Sequence, residues 1–115
     1  MQRLREAEES QMKASEIPAL REKLTKACDE KIAQGYYIMA GVTFGTFTSG
    51  SGTALCCCPI GAATEERFLT EAAGKLGISY EDANRFANGF DGNRPTSNMA
   101  RLGAEFHKKY IGSRE

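Results

Sequence analysis

The sequence predicts an α+β fold in which a β-hairpin is packed by one N-terminal helix and three C-terminal helices. Three observations lead there. Apolar residues recur at helical spacing on both sides of a central segment. That segment, YYIMAGVTFGTF at 36–47, is rich in aromatic and β-branched residues. Gly35 through Thr64 contains no Asp, Glu, Lys or Arg, although both flanks are densely charged. A chain of 115 residues can bury one core of this kind without staples. Residues 17–115 are therefore expected as a single globular domain, preceded at 1–16 by a charged arm or frayed helix.

Each element follows from local chemistry. Ile17, Leu20, Leu24, Cys28 and Ile32 repeat with Lys and Glu between them, which predicts an amphipathic helix over about 17–34. Ser15 and Pro18 mark its start, and Gly35 its stop. Tyr36, Ile38, Ala40, Val42 and Phe44 would then share one face of a strand at about 36–47. Gly41 and Gly45 fall on the other face and leave room for a close neighbour. The turn TSGSG at 48–52 leads into a second strand at about 53–57.

Pro59 suits the first position of a helix, where its missing N–H has no partner to lose, so Cys58 is the expected cap. That helix is expected to reach about Lys75 and to bury Ile60, Ala63, Phe68, Leu69, Ala72, Ala73 and Leu76. Gly77 ends it. Ser79 and Asp82 have the spacing of a capping box for a helix at about 80–89 that buries Ala83, Phe86 and Ala87. After the turn cluster FDGNRP at 90–95, Thr96 or Ser97 caps a last helix at about 98–111, with Met99, Leu102, Phe106 and Tyr110 inward.

Composition narrows the functional classes. Fifteen basic and fifteen acidic residues cancel, so no global field draws the chain to nucleic acid or an anionic membrane. Thr43, Thr46, Thr48, Ser49 and Ser51 interrupt the uncharged run, which argues against a membrane span. No secretory signal is recognisable, and four cysteines without regular spacing are not a disulfide framework. A cytoplasmic protein with reduced thiols is expected. No phosphate-binding loop, nucleophile elbow or second histidine is present, so the expectation is a non-enzymatic protein with no cofactor and no metal.

The densest candidate for chemistry is Cys56-Cys57-Cys58-Pro59. Strand alternation sets Cys57 on the face opposite Cys56 and Cys58, and adjacent thiols are poor co-ligands for one ion. Free cysteine is also among the most buried residue types, which favours a packing role. Cys58, at the positive end of a helix dipole, is the candidate reactive thiol and carries the alternative reading of a cysteine-based metal or redox protein. The only histidine, His107, lies on the last helix. Asp91 and Asn93 invite a calcium reading, but Pro95 stands at the third ligand position of such a loop.

The segment AAGKLGISYEDANRFANG at 72–89 resembles the helix-turn-helix of phage-repressor-type DNA-binding proteins. The resemblance implies a DNA-binding regulator whose base contacts come from Asn84, Arg85 and Asn88. Against it, Glu81 and Asp82 would face phosphates, and the chain lacks the surplus of Lys and Arg that supplies phosphate affinity. CCCP-x-G-A, L-G-I-S and F-x-x-G-F-D-G together resemble a set of small uncharacterised bacterial proteins, which implies a shared module and no particular activity. The favoured expectation is a protein-interaction or regulatory module that uses the uncharged hairpin. Val42, Phe44 and Phe47 are its candidate interface residues, and a homodimer or another protein is the expected partner.

Overall fold

The computed structural model describes residues 13–112. The arm expected at 1–16 therefore lies mostly outside the described residues; its end, Ala14–Glu16, forms a 3-10 turn. That turn leads into α1, Ile17–Ala33. The helix closes as its spacing predicts. Gly35 takes a φ of +99°, its N–H donates to the Ile32 carbonyl at 3.0 Å, and the Tyr36 N–H reaches the Lys31 carbonyl at 2.9 Å. The buried stripe is Ile17, Leu20, Leu24, Cys28 and Lys31. Ile32, expected inward, is 46% exposed. After Cys28 the stripe continues by a three-residue step instead of four, and that step brings a lysine under cover.

The predicted hairpin is present with one correction. The strand expected over 36–47 is divided into β1, Tyr37–Ile38, and β2, Phe44–Ser49, and β3 is Gly52–Cys57. The order is β1-β3-β2, with β1 parallel and β2 antiparallel to β3. An unbroken strand over 36–47 would have left about half of its backbone groups without a partner on so short a β3. Gly41, at φ +90°, instead lets the chain turn between β1 and β2, so the two lie on opposite sides of β3.

The helix expected from Pro59 to about Lys75 is likewise two helices, α2 (Pro59–Thr64) and α3 (Leu69–Leu76). The break is at Glu65, which adopts the left-handed conformation at φ 62°. Thr64 secures it. Its hydroxyl donates to the Ile60 carbonyl at 3.0 Å and accepts from the Glu66 N–H at 3.3 Å. Phe68, expected in the core of a continuous helix, now precedes α3 and is 66% exposed. Helix α4 is Tyr80–Phe90 and α5 is Asn98–Phe106, followed by a π-helical turn at His107–Ile111. Ser79 and Ser97 cap α4 and α5 by accepting from the N–H groups of Asp82 and Ala100.

The core is largest where α4 crosses α5. There the backbones nearly touch. A methyl group on Gly89 would lie 1.9 Å from the Ala100 carbonyl oxygen, and one on Gly103 would lie 2.1 Å from that of Phe86. The reciprocal approach seats Phe86, Phe90 and Phe106 against one another, with ring centroids 6.1 Å apart for Phe86 and Phe90 and 5.7 Å for Phe86 and Phe106. Helix α1 covers this core through Leu24 and Cys28. It is fastened to the far end of the chain by Arg21, paired to Glu105 through two nitrogens, and by the Tyr110 hydroxyl, which donates to Asp29 at 2.8 Å.

Glycine-to-alanine substitutions should therefore have opposite signs at two helical positions. Gly103→Ala is expected to destabilise the protein by about 2 kcal/mol or more, because the added methyl meets rigid backbone. Gly74→Ala, in α3 with open space around it, is expected to stabilise by about 0.5–1 kcal/mol. Urea unfolding midpoints of the two variants test both.

Candidate functional site

Strands β2 and β3 pair in the register Phe44↔Cys57 through Ser49↔Gly52, closed by a two-residue turn at Gly50 and Ser51. The Cys58 N–H donates to the Thr43 carbonyl at 3.1 Å, which identifies the bonded rungs of the ladder. Rungs alternate, so Gly45, Phe47 and Ser49 turn their backbone groups toward β3. Phe44, Thr46 and Thr48 turn theirs away from it. No strand lies on that side of β2 among the described residues. The free edge spans a strand without a charge or a proline.

The two faces of the sheet differ. One carries Ile38, Phe44 and Cys57 toward the helices. The other carries Tyr37, Gly45, Phe47, Ala54 and Cys56, with Tyr37 65% and Phe47 48% exposed. Toward the turn the hairpin outruns the helices. Leu55, on the core-facing side, is 44% exposed, and the exposed Thr48 and Thr53 meet hydroxyl to hydroxyl at 3.1 Å. Of the three expected interface residues, Phe47 is on the open face. Phe44 packs inward on Tyr36, with ring centroids 5.4 Å apart, and Val42 is half-buried in the turn before β2.

The cysteines divide differently from the expected alternation. Cys57 and Cys58 both enter the main core, together with Cys28 of α1, while Cys56 is buried on the opposite face. Cys58 lies just past β3, where the chain bends toward α2, so its side chain no longer obeys the strand's period. Burial raises its thiol pKa. The N–H groups of Gly61 and Ile60 act in the opposite direction and offset only part of this. Cys57 is pushed up to about 12 by burial and by the neighbouring Cys58 sulfur. Cys28 is raised further by burial and by Cys57 and Cys58. Among the described residues no three His, Cys, Asp or Glu side chains are placed to share a metal ion. His107 directs Nδ1 to the Phe90 carbonyl at 2.8 Å.

In the segment that resembles a helix-turn-helix, Asn84 and Asn88 are exposed, whereas Arg85 is held by the buried Asp82 at 2.7 Å. Among the described residues no helix is long and apolar enough to cross a membrane.

A further group escaped the sequence reading. The Lys31 ammonium, buried beneath α1, is bonded to the Glu65 carboxylate and donates to Gln34 Oε1 at 3.3 Å. It lies 5.2 Å from the Tyr36 ring centroid and 5.5 Å from that of Phe44. The Lys31 hydrogen bond and charge hold the Glu65 carboxyl below its ordinary pKa. The signal in the sequence was the choice between positions 31 and 32 for the next inward turn of α1; charge argued for 32 and packing selected 31.

No protein-family model matches the chain, and neither a curated protein nor a solved structure does.

The Lys31–Glu65 pair makes stability pH-dependent in a defined direction. Because the folded-state pKa of Glu65 is depressed, its contribution is full above the unfolded value and is lost as pH falls through the folded one. Glu65→Gln should be less stable than the wild type near neutral pH. The difference should shrink as pH falls below the ordinary glutamate range. Paired denaturant titrations from neutral to acid pH measure it.

Proposed function

We propose that this protein is an interaction module that acts by strand addition at the open edge of β2, and that its partner is a second copy of the chain. One observation carries the reading: an uncharged edge strand whose outward N–H and C=O groups at Phe44, Thr46 and Thr48 stand beside no other strand among the described residues. Edges of this kind are normally blunted by lysine, proline or a bulge. Here none of those devices is present along Phe44–Ser49.

The edge is complementary to itself. An antiparallel two-fold arrangement centred on Thr46 sets Thr46 opposite its own copy and Phe44 opposite Thr48, and so engages all three outward residues. On the open face the same register lays Phe47 of each copy across Gly45 of the other. An aromatic ring over a strand glycine covers backbone that glycine leaves bare. A formal net charge of zero adds no repulsion between copies. Tyr37 and Phe47 supply apolar area on the joined sheet.

Native mass spectrometry and light scattering at micromolar concentration should report a dimer. Thr46→Pro removes an outward donor and no bond of the β2–β3 ladder, so it should leave the circular dichroism spectrum and unfolding transition of the subunit near those of the wild type while abolishing the dimer. A wild-type monomer, or a Thr46→Pro protein that still dimerises, refutes the reading.

A further inference from the structure

We infer that the cavity between α1 and the α2–α3 break is a binding site for a small carboxylate, and that Glu65 is its built-in occupant. This is independent of the β2 edge. The cavity encloses about 390 Å³, and its lining includes Lys23, Lys31, Gln34, Thr64, Glu65 and Lys75. Glu30 also lines it. Three ammonium groups and two carboxylates line it, a third carboxylate, Glu66, pairs with Lys75 at its border, and Glu65 is bonded to the most deeply buried of the three cations.

The two members of the Lys31–Glu65 pair are held very differently. Lys31 is fixed from below by the core, beside the rings of Tyr36 and Phe44 and within reach of Gln34. Glu65 has a side chain 61% exposed and sits at the break between two helices. Its φ of 62° lies in the left-handed region, which L residues enter only at a steric cost. Other helix ends at positive φ among the described residues, Gly35, Gly77, Gly92 and Gly112, use glycine. Glycine at 65 would suit the backbone better, so what this position gains from glutamate is the carboxylate on Lys31. A carboxylate supplied from solution offers Lys31 the same bond. Lys75 Nζ, which bonds the Thr64 carbonyl at 3.2 Å and Glu66 at 3.3 Å, borders the same space and can meet a second acidic group.

Succinate is the probe, with sodium chloride at matched ionic strength as the control. Glu65→Gly removes the occupant and places a residue suited to the backbone at the break. Its melting temperature should rise with succinate, and it should bind succinate at least about tenfold more tightly than the wild type by calorimetry. Lys31→Met in the Glu65→Gly background should abolish that binding. Glu65→Gln, which keeps the side chain and removes its charge, provides the same comparison if Glu65→Gly does not fold in chloride. Equal affinity of wild type and both Glu65 variants, or binding that survives Lys31→Met, overturns the assignment.

Discussion

The structure depends on how closely the chain leaving β3 can approach the chain entering β2. A methyl group on Gly61 would lie 1.6 Å from the Thr43 carbonyl oxygen and 2.4 Å from its carbon. No side chain at all fits there. That contact sets α2 directly against the start of β2, while the Cys58 N–H closes the last rung of the ladder onto the same Thr43 carbonyl. The small residues of CCCPIGAA are explained by this geometry. Each occupies a position where sheet, turn and helix converge, and Cys57, Cys58 and Ala62 fill the space without pushing the layers apart. The thiols behave as small apolar groups whose ionisation the surroundings oppose.

The arrangement of helix, sheet and helices was readable because its signals are local. Gly35, Gly77, Ser79 and Ser97 mark helix ends by chemistry that needs no knowledge of the rest of the chain, and each does so in the structure. What was not readable required long-range information. Gly41 and Gly45 look alike within an uncharged run, yet one turns the chain at positive φ and the other lies flat in β2. Glu65 breaks a helix although its residue type gives no warning. Its side chain is bonded to Lys31, which lies 34 residues away in sequence.

The site was legible to the same degree. The uncharged run correctly located the sheet, and alternation of residues correctly set Gly45 and Phe44 on opposite faces. It could not say that β3, not β2, occupies the middle of the sheet, because that order follows from β1 pairing back in parallel. With β3 central, β2 acquires its open side. Phe44 turns inward onto Tyr36 and Lys31, whereas Phe47, three residues on, falls by strand alternation on the open face.

The fastening of α1 to the end of the chain has a consequence for how the molecule opens. Arg21 with Glu105 and Tyr110 with Thr25 and Asp29 join residues 81 to 85 positions apart. Being partly exposed, they add little energy individually. What they do is enclose the sheet and the intervening helices within one closed circuit of chain. Helix α1 cannot lift away without uncovering Leu24 and Cys28, so its detachment is coupled to loss of the core. The hairpin beyond Thr46 and Leu55 projects past the helical layer. Its amides are the ones that can exchange with solvent through small excursions while the rest of the protein stays closed.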